Sequence, residues 1–343
     1  MYKLFGILLL SFVFTSVLAV PFINMLYGFN MRQKPVKSVD MHGNTTIFNK
    51  LHGWKVGTPT GGGVLIILSV LFFSGLYYAL TSFGINWTSL TLFVTIISFG
   101  TLGLYDDVRK MIKLPRKRKI RALHAWQKFG IQTILGLCIG YLLFAQVGLH
   151  TLWLPILTPV FDITPIDLGM WYIPFAAFVV IAMSNAFNIT DGMDGLSTGL
   201  MIIALSAFWV LAQPFFEVSG DVLVFIAVLI GALLAFLYFN IYPARLFMGD
   251  TGSLAFGALL GVIALMTNQV MVLPFIGGVF VAEVSSSLIQ LVSLKYFNKR
   301  VFSIAPLHHH FEAKGWDETK VTMRFWLVGT LLAFVGLLIA TIV

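Results

Sequence analysis

Apolar residues in this chain do not alternate with polar ones; they run on. Ten long, nearly unbroken apolar stretches occupy 4–27, 62–83, 88–104, 129–147, 171–189, 196–212, 221–239, 252–267, 270–294 and 325–343. A helix needs about 20 such residues to cross ~30 Å of hydrocarbon. The short alternating segments of an outer-membrane barrel are absent. The pattern predicts an all-α integral membrane protein with ten transmembrane helices, forming one polytopic domain over 1–343. Only Asn268 and Gln269 separate the eighth stretch from the ninth. The loop 148–170, with Pro155, Pro159 and Pro165, reads as a small surface hairpin or as an irregular loop. The pairs Gly136/Gly140 and Gly257/Gly261 predict close helix packing within spans.

Composition narrows the class. The chain is 58% apolar and 10% charged, against ~45–50% and ~25% in soluble domains. That excludes an ordinary soluble or disordered protein. The single cysteine, Cys138, excludes a disulfide scaffold. A net charge of +8 would suit nucleic acid, but its distribution points elsewhere. Of the 22 Lys and Arg residues, all but Lys3 fall in 28–61, 105–128, 240–251 and 295–324. The intervening loops hold none. With ten spans, every basic loop lies on one side, which the positive-inside rule makes cytoplasmic. Both termini are then extracytoplasmic. Val17-Leu18-Ala19 resembles a signal-cleavage site, but cleavage would put the basic loop 28–61 outside, so the first span is expected to be retained.

Most acids gather on that same side, many at span ends beside Gly, Asn or aromatic residues; Asp40 and Asp317 are among them, while Asp162, Asp167, Glu217 and Asp221 lie on the other side. Glu283 alone is deep in a span. In Tyr105-Asp106-Asp107-Val108-Arg109-Lys110, neighbouring helical residues point about 100° apart, so the two carboxylates are expected to do different jobs. Lys110, three residues on, could lie beside Asp107. In Asn185-Ala-Phe-Asn188-Ile-Thr-Asp191-Gly-Met-Asp194-Gly195, the residues Asn188, Asp191 and Asp194 are spaced to share one helical face. In Asn240-Ile-Tyr-Pro-Ala-Arg245-Leu-Phe247-Met-Gly249-Asp250-Thr-Gly-Ser253, a span begins just after Asp250, and a helix N-terminus attracts anions. Helix capping would explain Asp250 or Ser253, but not Arg245 and Phe247 at a tight turn. The segment Lys55-Val-Gly57-Thr-Pro-Thr60-Gly-Gly-Gly63 looks like a phosphate cradle without being a Walker loop. In Pro306-Leu-His308-His309-His310-Phe311-Glu312, consecutive histidines lack the spacing of a helical zinc site. Their rings are expected to diverge and to line a phosphate or sugar site.

Carboxylates crowded together repel, and a cation relieves this. An all-oxygen set suggests Mg²⁺ or Mn²⁺. With lysines alongside, the chemistry expected is phosphoryl transfer between a soluble and a lipid substrate. On these motifs, in this order, the chain resembles the polyprenyl-phosphate N-acetylhexosamine-1-phosphate transferases of glycosyltransferase 4 type. The Pro-Leu-His-His-His-Phe-Glu run, with Gly315-Trp316 following, resembles their muramoyl-pentapeptide branch. Two small departures are Gly61, where many members have Met, and a more basic segment at 115–121.

The resemblance implies an enzyme of the bacterial cytoplasmic membrane with its cleft on the cytoplasmic face. It would move phospho-N-acetylmuramoyl-pentapeptide from UDP-N-acetylmuramoyl-pentapeptide to undecaprenyl phosphate, releasing UMP. It implies Asp250 as the Mg²⁺ ligand, and Asp106 or Asp107 as the group that deprotonates or positions the lipid phosphate. Asn188, Asp191, Asp194, Asn240 and Phe247 would surround the nucleotide, Phe247 stacking on uracil. Lys55, Thr60, Lys110, Lys128 and His308, His309 and His310 would hold phosphates and sugar. A homodimer is implied, and no nucleic acid. The alternatives are a sister transferase for another N-acetylhexosamine phosphate and, more remotely, an ion-coupled transporter using Glu283.

Overall fold

The structure, a computed structural model, describes residues 2–33, 53–81, 84–111, 123–155, 165–213 and 220–342. The sequence features at Asp40, 115–121, Pro159, Asp162 and Glu217 lie outside these residues. Among these residues, twelve α-helices follow in order: α1 (Tyr2–Gly28), α2 (Gly62–Leu80), α3 (Trp87–Met111), α4 (Ala125–Ala145), α5 (Tyr172–Thr190), α6 (Leu196–Leu211), α7 (Gly220–Asn240), α8 (Gly249–Met266), α9 (Leu273–Ile276), α10 (Gly278–Phe297), α11 (Leu307–Ala313) and α12 (Glu318–Thr341). Among the described residues, nine are long and apolar enough to cross a membrane: all but α6, α9 and α11. The chain is a helical, multi-pass membrane protein.

Three predicted spans are redrawn. The helix in 196–212 is α6, with 16 residues, about 24 Å long at the usual rise. The stretch 270–294 is not one helix. It begins with a 3₁₀ turn at Val270–Val272, continues as α9, and breaks at Gly277, whose N–H closes onto the Leu273 carbonyl at 2.7 Å. Hydrophobicity alone does not register such a break. The last helix starts at Glu318, seven residues before the apolar run, after an extended Asp317. Likewise α3 carries Asp106, Asp107 and Lys110 inside its last turns.

The core forms around α7 and α8. Both are apolar all round, and a helix of that kind is buried on every side; α8 is buried from Thr251 to Met266. α1 packs on α7, while α2, α3 and α5 pack on α8. Small residues permit the approach. A Cβ on Gly63 would sit 2.3 Å from the Gly252 nitrogen, and one on Gly103 would sit 2.2 Å from the Asp250 carbonyl oxygen. Gly257 and Gly261 meet α5 in the same way, as does Gly140 from α4, so both predicted glycine pairs mark helix contacts. α4 and α5 are also joined by a hydrogen bond of 3.0 Å from Asn185 to Gln132. The outer helix α1 turns Ser11, Thr15, Ala19 and Ile23 inward and leaves Leu9, Leu10 and Val17 exposed, as a lipid-facing helix does.

The short connections at 57–61, 191–195 and 241–248 meet at one end of the bundle, tied by hydrogen bonds. At the other end, β1 (Thr151–Leu152) pairs antiparallel with β2 (Ile166–Asp167), Thr151 facing Asp167. The loop 148–170 therefore contains a strand pair, resolving the two readings of it.

Candidate active site

A cavity of about 480 Å³ opens at the end where those connections meet. It is lined by Lys55 and Thr60 before α2, Asp107 and Lys110 from α3, and Asn188, Asp191 and Asp194 around the end of α5. Asn240 at the end of α7, Phe247 in the connection before α8 and Asp250 at the start of α8 complete the set of predicted residues on its surface. Arg32, Gln33 and Met193 also line it; no motif singled them out.

One wall is made by α3, α4 and α8. Asp107 accepts hydrogen bonds from the backbone N–H groups of Asp250 and Thr251 at 3.0 and 2.9 Å, and from the Thr251 hydroxyl at 2.7 Å. The anion at the N-terminus of α8 is thus a side chain of α3, which satisfies donors that a helix start leaves free. Asp106 points elsewhere, as the 100° offset predicts. It accepts from the Leu123 N–H at 3.2 Å and pairs with Lys110, one turn on, at 3.1 Å. Lys110 and Lys128 both reach the same oxygen of Asp250, at 2.9 and 2.7 Å. The other Asp250 oxygen lies 3.4 Å from the Asn188 amide, which also donates to Ser253 at 2.7 Å.

The facing wall is closed by ion pairs with almost no exposure. Lys55 Nζ lies 2.8 Å from Asp194 and 2.5 Å from Glu318. The second Asp194 oxygen accepts from the Ala244 N–H at 2.8 Å, and Glu318 accepts from the Asp194 N–H at 2.7 Å. Asn240 accepts from the Gly195 N–H and the Thr198 hydroxyl and donates to the Leu246 carbonyl. It lines the cavity while stapling two connections together. The Gly61 and Gly62 N–H groups donate to the Phe247 carbonyl, and Gly63 to that of Met248. The glycine-rich segment is therefore a brace for the turn before α8 rather than a backbone phosphate cradle. Thr60 Oγ1 is buried and has no partner among the described residues.

Asn188, Asp191 and Asp194 converge, but not on one helical face. α5 stops at Thr190, and Gly195 takes φ +73°, a left-handed conformation that glycine adopts without strain. Between them the chain turns, so that Asp194 faces Lys55 and Asp191 accepts from the Ser197 hydroxyl at 2.6 Å. Desolvation raises the Asp191 pKa to about 7, against the Ser197 hydrogen bond, and the Asp250 and Asp107 carboxylates push it the same way.

The histidines lie outside the cavity surface. His308 and His309 are buried, with ring centroids 4.1 Å apart, so these two do not diverge; their helix α11 keeps them side by side. His308 Nδ1 lies 3.0 Å from Glu283, and His309 Nδ1 lies 2.8 Å from Glu312. A Cβ on Gly192, which does line the cavity, would be 2.5 Å from His308 Nε2 and 3.4 Å from His309 Nε2. His310 is not brought to the site. It accepts from the Ser303 N–H at 3.1 Å and braces the segment before α11; desolvation, helped by Lys314, lowers its pKa. α11 is held by Phe311 stacked on Trp316, with Arg324 over the Trp316 ring. Sequence reasoning also missed Glu318 and the partner of Glu283. A lone acid at a helix start or inside a span carries no motif. Among the described residues, no three His, Cys, Asp or Glu side chains are grouped to hold a metal by themselves.

Known proteins resemble this chain in sequence. The model of glycosyl transferase family 4 matches residues 87–268, which include the α3–α4–α8 wall but neither Lys55 nor the histidines. Similarity beyond that core is carried by proteins named phospho-N-acetylmuramoyl-pentapeptide-transferase. That of Methylacidiphilum infernorum is 36% identical, over 98% of this chain and 92% of its own. That of Halalkalibacterium halodurans is 39% identical, over 96% and 95%, and that of Brachyspira hyodysenteriae is 40% identical, over 83% and 82%. With relatives of this identity covering both the Lys55 segment and the histidine segment, the chain belongs to the phospho-N-acetylmuramoyl-pentapeptide-transferase family.

Proposed function

We propose that the chain transfers phospho-N-acetylmuramoyl-pentapeptide from its UDP conjugate to undecaprenyl phosphate, forming lipid I and UMP. The observation that carries this reading is the convergence of Lys110 and Lys128 on one oxygen of Asp250 at the cavity wall. Two ammonium groups held on a single carboxylate oxygen can exchange it for phosphate oxygens as substrates enter. Phosphoryl transfer needs mainly such positioning and charge neutralisation. Phe247 offers a ring for the uracil, and Asn188 lies beside the diphosphate path. Lys55 and Asp194, tied to one another, shape the nucleotide side more than they bind charge. Thr60 offers its unpartnered hydroxyl to the donor.

The reaction is proposed to be direct. An oxygen of the lipid phosphate forms a bond to the sugar-bearing phosphorus, and the bond from that phosphorus to the bridging oxygen breaks. UMP leaves with the electron pair. The lipid phosphate is largely dianionic at neutral pH, since its second pKa is ~6, so it needs aim more than activation. Asp106 provides the aim by orienting Lys110, and Asp107 by fixing the start of α8.

A divalent cation fits the donor set. Asp250, together with Asp191, would hold it: the two carboxylates repel one another, a cation would relieve this, and Mg²⁺ is commonly bound by one or two carboxylates completed by substrate phosphates. Bound there, it would neutralise charge developing on the transferred phosphate. The reading further places the site on the cytoplasmic side of the bacterial inner membrane, with α6 as a tenth span, both termini outside and a homodimeric assembly. The deciding experiment is UMP release by the purified protein with both substrates. Release that requires Mg²⁺ and the muramoyl-pentapeptide donor is expected. Equal release from UDP-N-acetylglucosamine, or none from either donor, would overturn the reading.

A further inference from the structure

We propose that Glu283 is a positioning residue for this transfer: it fixes His308 so that an Nε2–H is directed through the wall at Gly192 toward the phosphates of the UDP-linked donor. The proposal rests on the function proposed above and assigns a task to an acid buried deep within a span that the mechanism leaves unused.

Glu283 and His308 are both without solvent exposure. Glu283 grips His308 twice: one carboxylate oxygen lies 3.1 Å from the His308 backbone nitrogen, the other 3.0 Å from Nδ1. The ring cannot turn without breaking this pair. His308 Nε2 is buried and has no hydrogen-bond partner among the described residues. It rests against Gly192, where a Cβ would come within 2.5 Å of it, and Gly192 is part of the cavity wall. His309 lies beside it, with Nδ1 on Glu312 and Nε2 3.4 Å from a Cβ placed on the same glycine. A histidine buried only for packing would be expected to have both nitrogens satisfied. Here the unsatisfied one rests against Gly192 of the cavity wall, so that a shift of the 191–193 turn by an entering ligand would uncover it.

The ligand decides which kind of group Nε2 is. A phosphate oxygen only accepts hydrogen bonds, so it binds the form in which Nε2 carries a hydrogen, with the ring held against Glu283 through Nδ1. The same grip removes Glu283 from service as a free proton-transfer site.

The test compares Glu283→Leu, His308→Ala, their double variant and Glu283→Gln in UMP release, with the KM of each substrate measured separately. Absence of release by the unaltered protein would count against the proposed function; the inference is read only from differences among proteins that turn over. Glu283→Leu and His308→Ala are each expected to lower kcat/KM for the UDP-linked donor by about 10²-fold, as for loss of one preorganised donor. The KM for undecaprenyl phosphate should stay the same. The double variant should be no worse than the poorer single one, because both remove one interaction. Glu283→Gln should recover most of the loss, since its amide can accept from the backbone and donate to Nδ1, keeping the hydrogen on Nε2. Multiplying losses in the double variant, or Glu283→Gln as poor as Glu283→Leu, would overturn the proposal. A second measurement does not depend on any variant folding: ¹⁵N-histidine NMR of the unaltered protein with the UDP-linked donor bound should show a protonated, pyrrole-type Nε2 at His308, and a pyridine-type nitrogen there would overturn it.

Discussion

On the α3–α4–α8 side of the cavity, the Lys110 side chain is 46% exposed, and those of Lys128 and Asp250 are 16% and 17% exposed. On the facing side, Lys55, Asp194 and Glu318 retain 5%, 0% and 8%. Both walls consist of lysines against carboxylates, yet they do different work. An ion pair in contact with water contributes little, so its partner is readily exchanged. A buried one is held by what would be left behind, because removing one partner strands a charge in a medium that cannot solvate it. The first wall can trade Asp250 for phosphate. The second sets where the 194 turn, the 244 turn and α12 stand, and through Gly192 it is continuous with the Glu283–His308 pair.

The comparison is broken most severely at Lys55. Lys55→Met should destabilise the fold by about 3–5 kcal/mol, because two buried carboxylates lose their cation. A large fall in Tm in detergent is expected, partly restored by adding Glu318→Gln. An unchanged Tm would show that the buried wall is no more rigid than the exposed one. Asp250→Asn should do the opposite. The Tm should hold, while turnover falls about 10²–10³-fold, equivalent to about 2.7–4 kcal/mol of transition-state stabilisation. UMP release near normal at saturating Mg²⁺ would contradict the role given to Asp250.

Asp191 sharpens the contrast through pH. Its pKa rises from 3.8 to about 7 in the folded protein, so the folded state binds a proton that the unfolded state has lost. The stability this contributes is present below the unfolded value and is lost as pH rises through the folded one. Without metal, the Tm of the unaltered protein should therefore fall relative to that of Asp191→Asn between about pH 4 and 7, then run parallel above it. A difference that does not change with pH would mean that Asp191 is ionised throughout. The smallest effect belongs to the far end of the bundle, where His150 pairs with an exposed Asp167 at 3.0 Å. His150→Ala should change neither the Tm nor UMP release measurably, as for most surface pairs.

The sequence by itself determined the membrane class and nearly all the spans, since apolar length is a local property that a bilayer reads directly. It also determined which segments meet at the cavity, because carboxylates, lysines and glycines clustered at span ends add little to helix packing and mark a polar cleft. Ten of its fifteen candidate residues line one cavity. Of the other five, Asp106 and Lys128 are tied to the wall through Lys110 and Asp250, and His308 and His309 stand behind Gly192. Only His310 turns away. What sequence could not decide was pairing. Lys55 meets Glu318 from 263 positions away, Asp107 caps a helix 143 positions on, and Glu283 holds a histidine 25 positions on. The break at Gly277 and the brace made by the 57–63 segment belong to the same class. Each depends on which backbone and side-chain atoms become neighbours once α7 and α8 are enclosed. A buried charge takes whichever partner packing leaves within reach, and that choice is made in three dimensions.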